Sequence, residues 1–91
     1  MEKWEYLTEF TYANVGNTGW EEYRKQNWPN FRPKQFDPHT MIPSLNARGN
    51  DGWELVHMEP VPLGIGNNHD LASTQGGYSN IYFCVFKRRK T

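Results

Sequence analysis

Residues 3–13 alternate between rings and polar side chains. Trp4, Tyr6, Phe10 and Tyr12 share one phase, while Lys3, Glu5, Glu9 and Thr11 share the other. Period two over that length predicts a strand, β1, with one buried face. Leu7 interrupts the polar phase, and Asn14-Val15-Gly16-Asn17 supplies the turn that ends the strand. A second strand, β2, is predicted over residues 53–59, where Pro60 and Pro62 confine any continuation to a sheet edge. A third, β3, runs from Ile81 to Lys87. It is apolar in both phases, with Ile81, Phe83 and Val85 on one and Tyr82, Cys84 and Phe86 on the other.

Between β1 and β2 the pattern predicts helix. Thr18-Gly19-Trp20-Glu21 has the spacing of a capping box, so a short helix is expected to run to about Asn27 and to stop at Trp28-Pro29. Pro29, Pro33 and Pro38 then predict an irregular, extended segment. The main helix begins near Thr40, contains Met41, Ile42, Leu45 and Ala47, and holds Pro43 in its first turn, where a missing N–H costs nothing. Gly49 is expected to take the left-handed position that ends it. Gly52 is expected to form a positive-φ turn, with Trp53 burying its ring under the helix.

These elements predict an α+β fold in one domain over residues 1–91. The sheet has three strands in the order β1-β3-β2, with one main helix on one face, plus a short helix and long loop inserts at 14–39 and 60–79. β3 is central because it alone is apolar on both faces, and the helical crossover sets β1 and β2 parallel on either side of it. One helix covers one face. The other face needs the short helix, the 63–78 loop or a second subunit, so a homo-oligomer, a dimer or larger, is expected.

Composition sharpens this only in part. Only seventeen of the 91 residues are Leu, Ile, Val or Phe, while aromatic content is 15%, so rings must supply much of the core. Ten basic residues balance ten acidic ones, which argues against a nucleic-acid partner held by charge. No apolar run reaches membrane-span length, so no membrane partner is expected. Met1-Glu2-Lys3-Trp4-Glu5 has no apolar signal region, and a cytoplasmic location follows as the expectation. Cys84 is the single cysteine, which excludes an internal disulfide and a cysteine-rich zinc site. It is expected to be an inert buried thiol.

The run Leu45-Asn46-Ala47-Arg48-Gly49-Asn50-Asp51-Gly52-Trp53-Glu54-Leu55-Val56 resembles the core signature of a small bacterial and phage family catalogued as domain of unknown function 4177. Trp4-Glu5-Tyr6 and Phe86-Lys87-Arg88 resemble that family's first strand and basic end. The resemblance implies the β-α-β-β order and no activity. The inserts are where this chain departs from the family pattern, and function on a small scaffold tends to sit in such loops.

Candidate chemistry is sparse. His39, His57 and His69 have no metal-ligand spacing, so no metal is expected, and His57 is read as a partly buried strand residue. Gly64-Ile65-Gly66 is not a dinucleotide fingerprint, no Walker sequence exists, and no serine has a nucleophile-elbow context. Neither a cofactor nor catalysis is expected. The suggestive stretch is residues 20–36, where rings interleave with cations. Trp20, Tyr23, Arg24 and Asn27 share one helical face, and Trp28, Arg32 and Lys34 follow. Rings stack on bases and guanidiniums hold phosphates. These seven residues, with Tyr78 from the second insert, form the expected ligand-binding set. The reading is a non-catalytic binding protein that sequesters a small anionic, nucleotide-derived signalling molecule, in the manner of a phage sponge. The alternatives are a protein-interaction or structural subunit, and an RNA-binding module using the same stretch with Lys87-Arg88-Arg89-Lys90.

Overall fold

The structure is a computed structural model that describes residues 1–62, 74–75 and 78–90, with the side chains of Thr74, Gln75 and Tyr78 outside the description. Its centre is a three-stranded antiparallel sheet. β1 spans Trp4–Tyr12, β2 spans Glu54–Pro60, and β3 spans Ile81–Arg89, in the order β1-β3-β2. β3 pairs along its whole length with β1, from Trp4 opposite Arg89 to Tyr12 opposite Ile81. With β2 it pairs from Glu54 opposite Lys87 to Pro60 opposite Tyr82. The doubly apolar strand is the central one, as its two apolar phases require. A two-residue pairing of Thr74–Gln75 with Tyr78–Ser79 precedes β3.

The inner face holds the core. Ala13, Met41, Tyr82, Cys84 and Phe86 are buried together, with Leu7, Leu45, Trp53 and Met58 packed against them. β1 therefore contributes its sparse phase inward. Leu7, Thr11 and Ala13 face the core, while the row Trp4, Tyr6, Phe10 and Tyr12 is exposed. Leu7, which interrupts the polar phase in the sequence, marks the buried side. The rings that looked like the core face are on the surface.

A bulge between Leu55 and His57 inserts Val56 into β2. The extra residue lets Leu55 and Met58 both sit opposite inner-face residues, Phe86 and Cys84. It also moves His57 outward. His57 is exposed, 3.8 Å from Glu59, and not partly buried as its strand position suggested.

Two helices complete the fold. α1, Trp20–Asn27, starts from Gly19, which has φ 84° and caps the helix without a side-chain bond. The expected Thr18 capping box does not form, because the helix starts at Trp20 with Gly19 at its N-cap, one residue later than the box requires. α1 ends where Trp28 leaves helical geometry ahead of Pro29. α2, Ile42–Asn50, is preceded by a 3₁₀ turn over Pro38–Met41. Gly49 lies inside α2. The left-handed turn falls three residues later at Gly52, with φ 89°, as expected for that glycine. Arg48 of α2 clasps Glu9 of β1, at 2.9 Å through Nε and 2.5 Å through a terminal nitrogen, and fixes the helix over the inner face. Trp53 is half-buried, with the Arg88 guanidinium 4.2 Å from its ring. Among the described residues no helix is long and apolar enough to cross a membrane.

The register also places the inserts. Ala13 N–H donates to Asn80 and Val61 N–H donates to Ile81, so both inserts leave the same end of the sheet, on either side of β3.

Candidate functional site

The first insert builds an aromatic cluster from α1 outward. Trp20 opens the helix and is fully buried, stacked with Tyr23 at 6.2 Å and edge-on to Phe31 at 6.4 Å. Tyr23 meets Trp28 edge-on at 5.7 Å. Trp28 and Phe31 then form a triad with His39, with centroid separations of 5.3–6.0 Å and rings close to perpendicular. Edge-to-face contacts satisfy the ring quadrupoles and hold the planes in place.

Arg24 braces this cluster. Its side chain is 12% exposed, paired with Glu21, and it donates to the carbonyls of Pro29 at 2.9 Å and Phe31 at 3.4 Å. The pairing holds the Glu21 carboxyl below its ordinary range and raises the guanidinium. Arg24 is thus committed to the turn that carries Trp28 and Phe31.

The 3₁₀ turn supplies the third ring. Asp37 caps it, accepting from His39 N–H at 2.9 Å, and Pro38 takes the first position, where no donor is needed. The same carboxylate oxygen lies 2.6 Å from His39 Nδ1. An ionised carboxylate only accepts, so Nδ1 carries the proton, and in the neutral imidazole Nε2 is then the lone-pair nitrogen facing outward. Asp37 is buried behind the imidazole, and the imidazole itself is half-exposed.

Around the triad lies an open cleft of about 440 Å³ lined by Asn27, Trp28, Pro29, Asn30, Phe31 and His39. Its lining is mostly apolar and contains no acid. Arg32 is exposed and donates to the carbonyl of Pro29, a lining residue, at 3.3 Å. A second hollow of about 340 Å³ lies on the other side of Phe31, between Val15, Arg24 and Arg32.

The eight expected site residues separate accordingly. Asn27 and Trp28 line the cleft, Arg32 lines the second hollow and bonds to Pro29 of the first, and Lys34 is exposed nearby in sequence. Trp20 lies in the interior and Arg24 is a brace. Tyr23 is half-buried between the two tryptophans. Tyr78 has its backbone in the short pairing before β3, while its side chain and the glycine-rich stretch 63–73 lie outside the described residues. Phe31 and His39 were not in the expected set. The Asp37-Pro38-His39 sequence was the signal available for His39, as a capping acid that folds back on the histidine two residues on. Among the described residues no three His, Cys, Asp or Glu side chains gather into a metal-binding group.

The basic run at the end of the chain is part of the sheet. Lys87 sits 4.4 Å from the Trp4 ring centroid, Arg88 pairs with Glu5 at 2.8 Å, and Arg89 pairs with Glu2.

Comparison with protein-family models, curated proteins and solved structures finds no match to this chain.

Proposed function

We propose that this chain is a non-catalytic binding protein and that the Trp28–Phe31–His39 cleft holds a small anionic ligand with a flat heterocycle, of the nucleotide class. The observation that carries the reading is the triad: three locked rings, partly open to solvent, with no acid in the lining and with Arg32 bonded to the carbonyl of Pro29, a lining residue. A base would stack on Trp28 or Phe31. An exocyclic amine would donate to His39 Nε2, and a phosphate would meet the Arg32 guanidinium. Sequestration of a nucleotide-derived signal is the role that suits such a site on a chain with no recognisable catalytic set. The phage setting rests on the resemblance carried by Leu45–Val56.

The test is a thermal-shift and tryptophan-fluorescence series with adenine and guanine nucleotides, linear and cyclic, beside inorganic phosphate. One base-containing anion should raise the melting temperature with concentration and quench the signal, while phosphate alone should do neither. Trp28→Ala and Arg32→Ala should each abolish the shift, Arg32→Ala without lowering the ligand-free melting temperature. A panel that moves neither signal at millimolar concentration would remove the nucleotide reading. The interaction-subunit alternative has its own support in the exposed ring row of β1. With Lys87, Arg88 and Arg89 engaged within the sheet, the RNA-binding alternative retains mainly the 20–36 stretch.

A further inference from the structure

One face of the sheet carries no second layer among the described residues. Trp4, Tyr6, Phe10 and Tyr12 stand there in one row, 40, 64, 57 and 52% exposed. Phe83 of β3 joins the row, edge-on to Phe10 at 5.7 Å. Thr8 interrupts the row at its middle, beside Val85 and Phe83 of β3, and soluble proteins seldom leave so many rings on one face to water. The described body measures 45 × 38 × 18 Å, and its short dimension is that of a sheet with a helix layer on one side only. Both α2 and the Arg48–Glu9 clasp lie on the other side.

We propose that this face binds a second copy of the chain, the two sheets packing face to face about a two-fold axis that lies between them and runs across the strands. Area favours this occupant. Three strands about 4.8 Å apart and about eight residues long give a face of roughly 14 by 27 Å. The four β1 rings, roughly 150–250 Å² each and about half exposed, offer about 400 Å², and the β3 and β2 positions beside them bring the face to about 600 Å² per copy, about 1,200 Å² in total, the lower bound of a stable interface.

The arrangement of residues chooses the axis. Face-to-face packing permits a two-fold axis along the strands or across them. An axis along the strands over β3 would set Lys87 over the partner's Lys87 and lay the rings of β1 over the partner's Glu54, His57 and Glu59, while the same axis moved over β1 would leave β2 and much of β3 outside the contact. An axis across the strands, at the level where Thr8 pairs with Val85, makes the ring row complementary to itself. Tyr6 then faces the partner's Phe10, Trp4 faces the partner's Tyr12, and Lys87 faces the ring of the partner's Phe83. Each strand then lies over its own copy, so all three contribute area, and Glu54 meets the partner's Glu59 at the exposed β2 edge, where solvent screens the like charges. The row meets itself through an isologous contact, which closes at two copies. The balanced charge around the patch offers nothing that would favour an anionic membrane.

Sedimentation equilibrium of the full chain tests this without any ligand, and so independently of the cleft. At tens of micromolar the mass should be twice 10.7 kDa. Tyr6→Glu and Phe10→Glu should each weaken association at least tenfold. Both sites are more than half exposed, so circular dichroism should be unchanged. Tyr6→Glu combined with Phe10→Lys should restore the dimer and make it salt-sensitive, because the crosswise axis sets those positions opposite each other. A wild-type chain that stays monomeric at 100 µM would overturn the proposal. So would a dimer that survives both single substitutions, which would move the contact to a strand edge. A double variant that stays monomeric would overturn the crosswise axis.

Discussion

Trp20 and Trp28 are eight residues apart in one aromatic insert, yet one is interior and the other lines a cleft. Spacing on the helix placed Trp20 and Tyr23 together correctly. It could not say that the shared face turns toward Phe31 and the fold, because that depends on a turn at residues 28–31 set by Pro29 and braced by Arg24. Trp20→Ala should therefore cost about 3–5 kcal/mol, the range for a fully buried ring, in a denaturant titration where Trp28→Ala, which removes a partly exposed ring, costs less. The two arginines divide the same way. Arg24→Ala should lower the melting temperature by loosening the turn, whereas Arg32→Ala should not, since the Arg32 side chain is exposed. Cys84 was legible from its place in a doubly apolar strand. It is buried, and burial pushes its thiol upward, so a thiol reagent at pH 8 should label it only as fast as the chain unfolds. Labelling of the native protein within seconds would show that the inner face opens readily.

Strand positions were readable to within two residues at either end, because period two survives in β1 and double apolarity marks β3. Phase was harder to read. β1 has more apolar area in its exposed phase than in its buried one, so counting rings picks the wrong face. The inward side is set by what α2 can reach, Leu7 and Glu9. In β2 the adjacent pair Leu55-Val56 offered two phases, and the bulge resolves them by leaving Val56 unpaired with Leu55 and Met58 both inward. The helix-to-strand turn supplies a paired test. Gly49 is helical and an added Cβ would meet nothing within 4 Å, so Gly49→Ala should stabilise by about 0.5–1 kcal/mol. Gly52 has equal room but φ 89°, so Gly52→Ala should destabilise by about 1–2 kcal/mol from backbone strain alone. Thermal denaturation of both variants should move in opposite directions. If both were destabilised, Gly49 would be left-handed as well as Gly52, as the spacing alone suggests.

At the scale of the whole molecule, the sequence announces a surplus face without saying which one. β3 is apolar on both sides and α2 can cover only one. Covering the Cys84 and Phe86 side left the ring row of β1 to solvent. The aromatic insert did not cover that row, because its own rings pack on one another and on His39. If a second copy supplies the missing layer, folding and association are linked. Dissociation then accompanies unfolding, and mass action makes the melting temperature rise with protein concentration. A series from 1 to 100 µM should show that rise for the wild-type chain, and Tyr6→Glu should flatten it. Trp28→Ala should leave the slope intact, since the cleft lies in the first insert and not on the ring row of β1. Adding a ligand of the cleft should raise every point of the series by a similar amount without changing its slope. A slope that vanished in Trp28→Ala but persisted in Tyr6→Glu would place the contact between copies on the cleft, and would make the exposed triad an interface in place of a ligand site.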